Sequence, residues 1–265
     1  MNNVSTIIHS YNNETLIDCV QSALLLTKNV FVIGEEKRQQ VHNDLKKLGV
    51  IFIPFSNREI VEPAREFGIN QVKTDWVFLL DADERMTKEL VAEITDAVFP
   101  SDVTSDSSTA SVITHYKVPR KEIVFGTRWL KHGGWWPNYQ IRLIRKSAFI
   151  SWPKKIHSTP VINGECGYLD NGLLHYSQNN IEEIVVRTIV FEDKESDLLF
   201  QAGRQTNTLT FFRKFLGELW RRLILRLGFL DGNIGIIESI YQAFSKTITY
   251  IYLYEKNRRP IRPIS

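Results

Sequence analysis

Four short apolar runs, each followed by a stretch of helical periodicity, fill the first hundred residues, and this alternation restricts the fold more than any other feature. Val4 to Ile8, Val30 to Ile33, Val50 to Ile53 and Trp76 to Leu80 read as strands. Glu14 to Leu26, Arg38 to Leu48, Pro63 to Val72 and Lys88 to Val98 read as helices. In the first of these, Ile17, Val20 and Leu24 recur at helical spacing. Gly49 suits a position just past the end of the second, and Pro63 the first turn of the third. Strands separated by helices of this length form βαβ units. The expected class is therefore α/β, a Rossmann-like and mostly parallel sheet flanked by helices.

Beyond Val98 the pattern changes. Pro100 to Thr109 is rich in Ser, Asp and Thr and reads as a surface loop. Ala110 to Pro119 and Tyr139 to Ile144 read as strands around an aromatic, glycine-rich loop, and from Ile181 onward the pattern is helical. The expected division is a domain at 1–178 and a C-terminal helical extension at 179–265. The net charge of +3 is small, so composition alone implies no nucleic-acid partner. The basic residues nevertheless crowd towards the C-terminus, from Arg213 and Lys214 to Arg262. Cys19 and Cys166 give neither a disulfide framework nor metal-knuckle spacing, and are expected as buried free thiols. The first residues lack a basic n-region and an apolar h-region, and no window of about 18 residues is free of charge. The expected location is cytoplasmic, on the inner face of a membrane.

Leu79-Leu80-Asp81-Ala82-Asp83-Glu84 sets three carboxylates directly after a buried strand. Open α/β sheets bind ligands at the carboxyl ends of their strands. Two carboxylates leaving a strand can converge on one hard divalent cation, Mg²⁺ or Mn²⁺, which commonly bridges protein oxygens to phosphates. The same residues would equally serve as acidic capping of the next helix. A calcium loop is disfavoured, because its sixth position, which needs Gly, is Met86.

The wider context makes this segment specific. Asp75 to Glu84 resembles the Asp-x-Asp segment of family 2 glycosyltransferases with a GT-A fold. Phe125 to Pro137, with Gln140-Ile141-Arg142-Leu143-Ile144-Arg145, is similar to the central block of the WaaE/KdtX-like lipopolysaccharide core glucosyltransferases. Ile156-His157, Leu174-His175-Tyr176-Ser177 and Leu227 to Gly235 follow in the same order, so the resemblance covers roughly residues 4 to 255. It implies an inverting, metal-dependent transfer of a hexose from a nucleotide-diphosphate sugar, most simply a UDP-hexose, to a saccharide or lipid-linked acceptor. The implied donor-binding residues are His9, Glu35, Arg65, Asp81, Ala82, Asp83, Arg142 and Arg145. The implied metal ligands are Asp81, Asp83 and His157, with His175 as another imidazole able to complete the shell. Trp135, Trp136 and His132 are the acceptor candidates.

Three departures bear on this expectation. Gly34-Glu35-Glu36-Lys37 stands where the family carries an Asp-rich loop, leaving Glu35 as the acid to read base and ribose. Arg65-Glu66 stands for the usual Arg-Asn. Asn138 occupies the position of the subgroup's catalytic Asp, and an amide cannot accept a proton at neutral pH. Asp170, Glu165 and Glu122 are then alternative bases, and a catalytically impaired relative that binds nucleotide sugar or glycan is the competing expectation.

In the C-terminal region Phe212, Phe215, Leu216, Leu219, Trp220, Leu223 and Leu227 share a helical face opposite Lys214, Glu218, Arg221 and Arg222. Two readings follow, a helix lying in a lipid interface or one packed on the catalytic domain. A second helix is expected over Ile236 to Tyr254. The sequence leaves a homodimer open.

Overall fold

The computed structural model describes residues 3–56, 61–99, 113–126, 128–154, 158–178 and 181–258. Strand β1 (Val4–Tyr11), helix α1 (Leu16–Ala23), β2 (Val30–Glu35), α2 (Gln39–Lys47), β3 (Ile51–Pro54), α3 (Glu62–Gln71), β4 (Trp76–Asp81), β5 (Glu84–Arg85) and α4 (Lys88–Val98) follow in order. Then come β6 (Ile113–Val124), β7 (Arg128–Trp129), β8 (Asn138–Arg145), β9 (Phe149–Ser151), β10 (Val161–Ile162), β11 (Glu165–Tyr168) and β12 (Leu173–Gln178). Three long helices close the chain: α5 (Ile181–Gln201), α6 (Thr208–Trp220) and α7 (Gly232–Arg258). The loop expected at 100–109 lies outside the described residues.

The chain forms two compact units, one of residues 1–121 and 138–175, the other of 122–137 and 176–265.

In the first unit the strand order is β3-β2-β1-β4-β8-β6-β12-β5. β1, β2, β3 and β4 are mutually parallel, whereas β8 runs antiparallel to both β4 and β6. The mixed edge explains why only the first hundred residues read as βαβ units. Alternation along β1 and β4 sends side chains to two separate cores. Val4, Ile8, Trp76, Phe78 and Leu80 pack with α1, α2 and α4 residues such as Leu16, Val20, Leu45, Leu90 and Ile94. Ile7, Val77 and Leu79 pack on the other face with Ala64, Ile69 and Val72 from and next to α3. A strand covered on both faces must be apolar throughout, which is why β4 reads as an unbroken run. Thr87 caps α4 by accepting from Leu90 N–H.

The sheet is built outward from β1 in both directions, so β1 and β4 flank the topological switch point, where the crevice of an open α/β sheet lies. His9 and Asp81 face each other in register at this place.

In the second unit α7 packs against both α5 and α6. Glu192 of α5, buried, accepts hydrogen bonds from Ser245 and Thr249 of α7. Lys256 bridges Asp193 and Asp197. Asn207 and Thr210 form a capping box at the start of α6. Of the expected amphipathic face, Phe212, Leu216, Trp220 and Leu227 are exposed, while Phe215, Leu219 and Leu223 are half-buried. The packed side of α6 is mixed: Phe211 meets the Tyr254 ring, Lys214 lies over the Tyr250 ring, and Glu218 holds Arg221 and Arg222 along the helix itself. No helix among the described residues is long and apolar enough to cross a membrane.

Candidate functional site

The turn that leaves β4 is tied down atom by atom. Ala82, buried, donates its N–H to the His9 carbonyl, and its own carbonyl accepts from Thr15 Oγ1 and Arg85. Arg85 also donates to the Thr15 carbonyl, joining the turn to the loop between β1 and α1. Cys19 donates its thiol to the Asp81 carbonyl at 3.3 Å, and burial pushes that thiol up. Cys19 is thus the buried thiol expected; Cys166 is half-buried.

On this scaffold sits a cluster of arginines and carboxylates. Arg65 Nη2 donates to both Asp81 oxygens, at 2.7 and 2.9 Å. Arg142, its side chain 3% exposed, donates to Asp81 at 2.7 Å and to Glu84. Glu84 is fully buried, accepts from the Asp81 N–H at 3.0 Å, and has Arg120 at 3.6 Å. Burial alone would raise the Asp81 carboxyl, but Arg142 and Arg65 outweigh it and hold the group well below the usual range. Burial likewise opposes the charge on Arg142, and the two carboxylates overcome it, so the guanidinium stays protonated. Three guanidiniums face two carboxylates here, an excess of one positive charge.

His9 lies against this cluster. Burial, with a contribution from Arg65 against that of Asp81, lowers its imidazole to about 4, so the ring is neutral at physiological pH. Its Nε2 is buried without a hydrogen-bond partner among the described residues, as are Arg120 Nε and Arg142 Nε. Unsatisfied buried polar atoms are costly and rare, and three gather around one carboxylate pair, two of them guanidinium donors.

The next acid, Asp83, has an oxygen 3.7 Å from His175 Nε2. Among the described residues no three His, Cys, Asp or Glu side chains are placed to hold a metal by themselves. His157 lies outside the described residues.

The structure does not bring all the expected donor residues together. Arg145 pairs with Trp76 at the start of β4, five residues before Asp81 and roughly 17 Å along the strand. The physical reason is the period of a strand: residues three apart point to opposite faces, so Arg142 is buried in the site and Arg145 is exposed. Glu35 ends β2 half-exposed, whereas its neighbour Glu36 has a buried carboxylate held by Arg38. Asn138 begins β8 opposite Arg120, its amide oxygen 3.3 Å from Gln140. Asp170 is exposed in the turn before β12, where its N–H and that of Asn171 donate to Glu93 of α4. No hydrogen bond links Asp170 to the arginine cluster among the described residues. Glu84 was named only as the third carboxylate of the acidic run, and Arg120 and Trp152, which lies 5.4 Å beneath the Arg65 guanidinium, were not singled out by the sequence. Arg120 and Trp152 come in through sheet register and loop packing.

The acceptor candidates Trp135, Trp136 and His132 belong to the helical unit. His132 Nδ1 pairs with buried Asp231 at 2.8 Å, and Trp136 meets Trp129 edge to face at 5.3 Å. Trp135 lies under the Arg222 guanidinium at 5.4 Å.

Comparison with known proteins identifies the family. Residues 5–159 match the family model described as Glycosyl transferase family 2. An uncharacterized glycosyltransferase of Rickettsia typhi is 26% identical over 275 residues, covering 96% of this chain and 88% of the relative. The lipopolysaccharide core biosynthesis glycosyltransferase LpsC of Rhizobium meliloti is 24% identical over 215 residues, covering 75% of this chain and 71% of its own length. Among solved structures, the mannosyltransferase PcManGT from Pyrobaculum calidifontis, in complex with GDP-Man and Mn²⁺, superposes with a TM-score of 0.49 at 9% identity, over 98% of this chain and 76% of that one. With a switch-point crevice, an acidic turn at the end of the fourth strand and a family match over more than half its length, the chain is a glycosyltransferase that belongs to family 2.

Proposed function

We propose that this glycosyltransferase moves a hexose, with inversion, from a nucleotide-diphosphate sugar (a UDP-hexose in the simplest case) to the saccharide of a lipid-linked cell-surface glycan. The observation that carries the donor half is the positive excess at Arg65, Arg120 and Arg142, set at the switch point beside unsatisfied donors. A diphosphate is the ligand such a cluster suits, since guanidinium forks match paired phosphoryl oxygens. Neutral His9 offers one donor and one acceptor edge, as a base or ribose would need.

Asp83 and His175 would hold a Mg²⁺ or Mn²⁺ ion. The Asp83 carboxylate suits either ion, which takes one or two protein ligands and completes its shell from phosphates and water, whereas the His175 imidazole suits the transition ion Mn²⁺ better than Mg²⁺. When bound, the ion would neutralise charge on the departing diphosphate. In this reading Asp81 orders Arg65 and Arg142 rather than binding metal directly. The acceptor hydroxyl would lose its proton to a carboxylate, a role the Asn138 amide cannot fill; Asp170, Glu165 and Glu122 remain the proposed bases.

Lipid association is supported by the outer face of the helical unit. Phe212, Leu216, Trp220 and Leu225 are 63, 58, 58 and 67% exposed, with Arg213 and Arg226 exposed among them. Trp and Leu beside basic residues fit a peripheral position at an anionic surface, at about 1 kcal/mol per cation. That surface is expected on the cytoplasmic side.

Calorimetry with a panel of nucleotide sugars and Mn²⁺, alongside release of free nucleotide diphosphate, tests the reading. Asp83→Ala should abolish Mn²⁺-dependent donor binding while leaving the melting temperature nearly unchanged, and unaltered affinity would remove Asp83 from the site. The second reading, a nucleotide-sugar-binding protein without turnover, is favoured by Asn138. Donor binding with no release in the presence of lipid-linked acceptors would establish it. Sedimentation with anionic vesicles should carry the protein down, and Trp220→Glu should reduce this; equal recovery with neutral vesicles would argue against surface attraction.

A further inference from the structure

The helical unit contains a pocket of about 420 Å³, walled by Lys131, His132, Gly134, Trp136, Pro137 and Arg226. That volume falls within the roughly 300–1,000 Å³ usual for small-molecule sites. Its walls are fixed by hydrogen bonds from the turn between α6 and α7. The Asp231 carboxylate accepts the N–H groups of Lys131 and His132 at 3.0 and 2.8 Å and pairs with His132 Nδ1. Gly133 donates to the Arg226 carbonyl at 2.8 Å, and Arg222 donates to the Gly133 carbonyl at 3.1 Å. Gly134, at φ +87°, lets the Arg226 guanidinium lie across the loop: a Cβ there would stand 2.1 Å from Nη1.

The charges of this pocket are unbalanced. Glu218 takes Arg221 and Arg222, and Asp231 is consumed by the loop N–H groups and His132. Arg226 has no carboxylate partner among the described residues, and Lys131 lies 4.6 Å over the Trp129 ring without one. With Nδ1 engaged by Asp231, His132 has Nε2 left for a ligand. Two cations and an imidazole line this pocket together with the Trp136 indole, a combination that calls for a ligand anionic at one end and carrying a ring at the other. Carbohydrate rings pack on such indole faces.

We propose that this pocket binds a phosphorylated saccharide, Arg226 and Lys131 holding the phosphate and Trp136 the sugar ring. The acceptor would then be a phosphate-bearing glycan, an assignment that rests on the family 2 reading above. Two cations match a dianionic phosphate better than a monoanionic carboxylate.

The test is calorimetric titration of the full chain with glucose 6-phosphate, glucose, glucuronate and inorganic phosphate at low ionic strength, with UDP-glucose and Mn²⁺ titrated in parallel. Glucose 6-phosphate should bind at least about tenfold more tightly than glucose, glucuronate or phosphate alone, as charge-assisted contacts combined with ring stacking require. Arg226→Met and Lys131→Met should each weaken it about fivefold or more, leaving UDP-glucose affinity unchanged; both side chains are exposed, so the fold survives. Equal affinity for glucose, or a preference that persists in the double variant, overturns the proposal. Glucuronate binding as tightly would overturn the phosphate assignment, and phosphate alone binding as tightly would overturn the saccharide. If UDP-glucose still binds while the phosphate preference fails, this pocket assignment falls alone; if UDP-glucose and other nucleotide sugars fail to bind, the donor reading falls independently.

Discussion

Arg142→Met probes the physical core of the proposed donor site. The native guanidinium, 3% exposed, neutralises Asp81 and Glu84 at once. Methionine keeps most of the volume and removes both charge-assisted bonds, each worth about 1.5–3 kcal/mol. Asp81 retains Arg65, but fully buried Glu84 keeps, among the described residues, only the Asp81 N–H and Arg120 at 3.6 Å. Leaving a buried charge undercompensated costs about 3–5 kcal/mol, a large part of the roughly 5–15 kcal/mol that stabilises a typical fold. The melting temperature, followed by circular dichroism, should fall by about 10 °C. Adding Glu84→Gln should restore about 1–3 kcal/mol, because the unpaired charge is then gone. A loss below about 1 kcal/mol, or no recovery in the double variant, would refute the idea that Arg142 and Glu84 are a mutually dependent buried pair. Arg142→Lys should recover little of the donor affinity, since one ammonium cannot span two carboxylates as a fork does.

Two further outcomes follow from other parts of the molecule. Burial raises the Glu238 carboxyl to about 7, with Glu122 adding to this and Gln242 and Arg222 opposing it. A raised carboxyl stabilises the fold fully below its unfolded value near 4.5 and loses that contribution as pH rises through 7. Melting scans should therefore show up to about 3 kcal/mol less stability at pH 8 than at pH 5, and Glu238→Gln should flatten the trend; an unchanged slope would exclude Glu238 as its source. Gly68 of α3 has no room for a side chain, a Cβ there lying 2.8 Å from Ile7 and 3.2 Å from Ile33. Gly68→Ala gains about 1 kcal/mol of helix propensity but overpacks the interface by about 1–3 kcal/mol, so urea unfolding should show net destabilisation, and a more stable variant would contradict the close contact of α3 with the sheet.

The sequence by itself determined the parallel half of the sheet. Residues of β4 are buried on both sides and of α4 on one, so each carries its period in its own composition, and Lys88–Val98 is found where the pattern put it. Asp81 and Asp83 were legible for the same reason, as polar residues ending an apolar run. The short later strands were not: β5 and β12 form an antiparallel pair and β11 lies parallel to β6, and all three exist through pairing with distant strands. Nor could spacing decide which arginine enters the site. Arg142 and Arg145 sit in equivalent sequence surroundings, and only the register of β8 on β4 buries one with Asp81 and carries the other to the far end of the strand. The tertiary structure likewise decided that Asp231 grips His132 across 99 residues. Periodicity is a property of neighbours in sequence, whereas charge pairing depends on distance in space, and a linear pattern does not encode that.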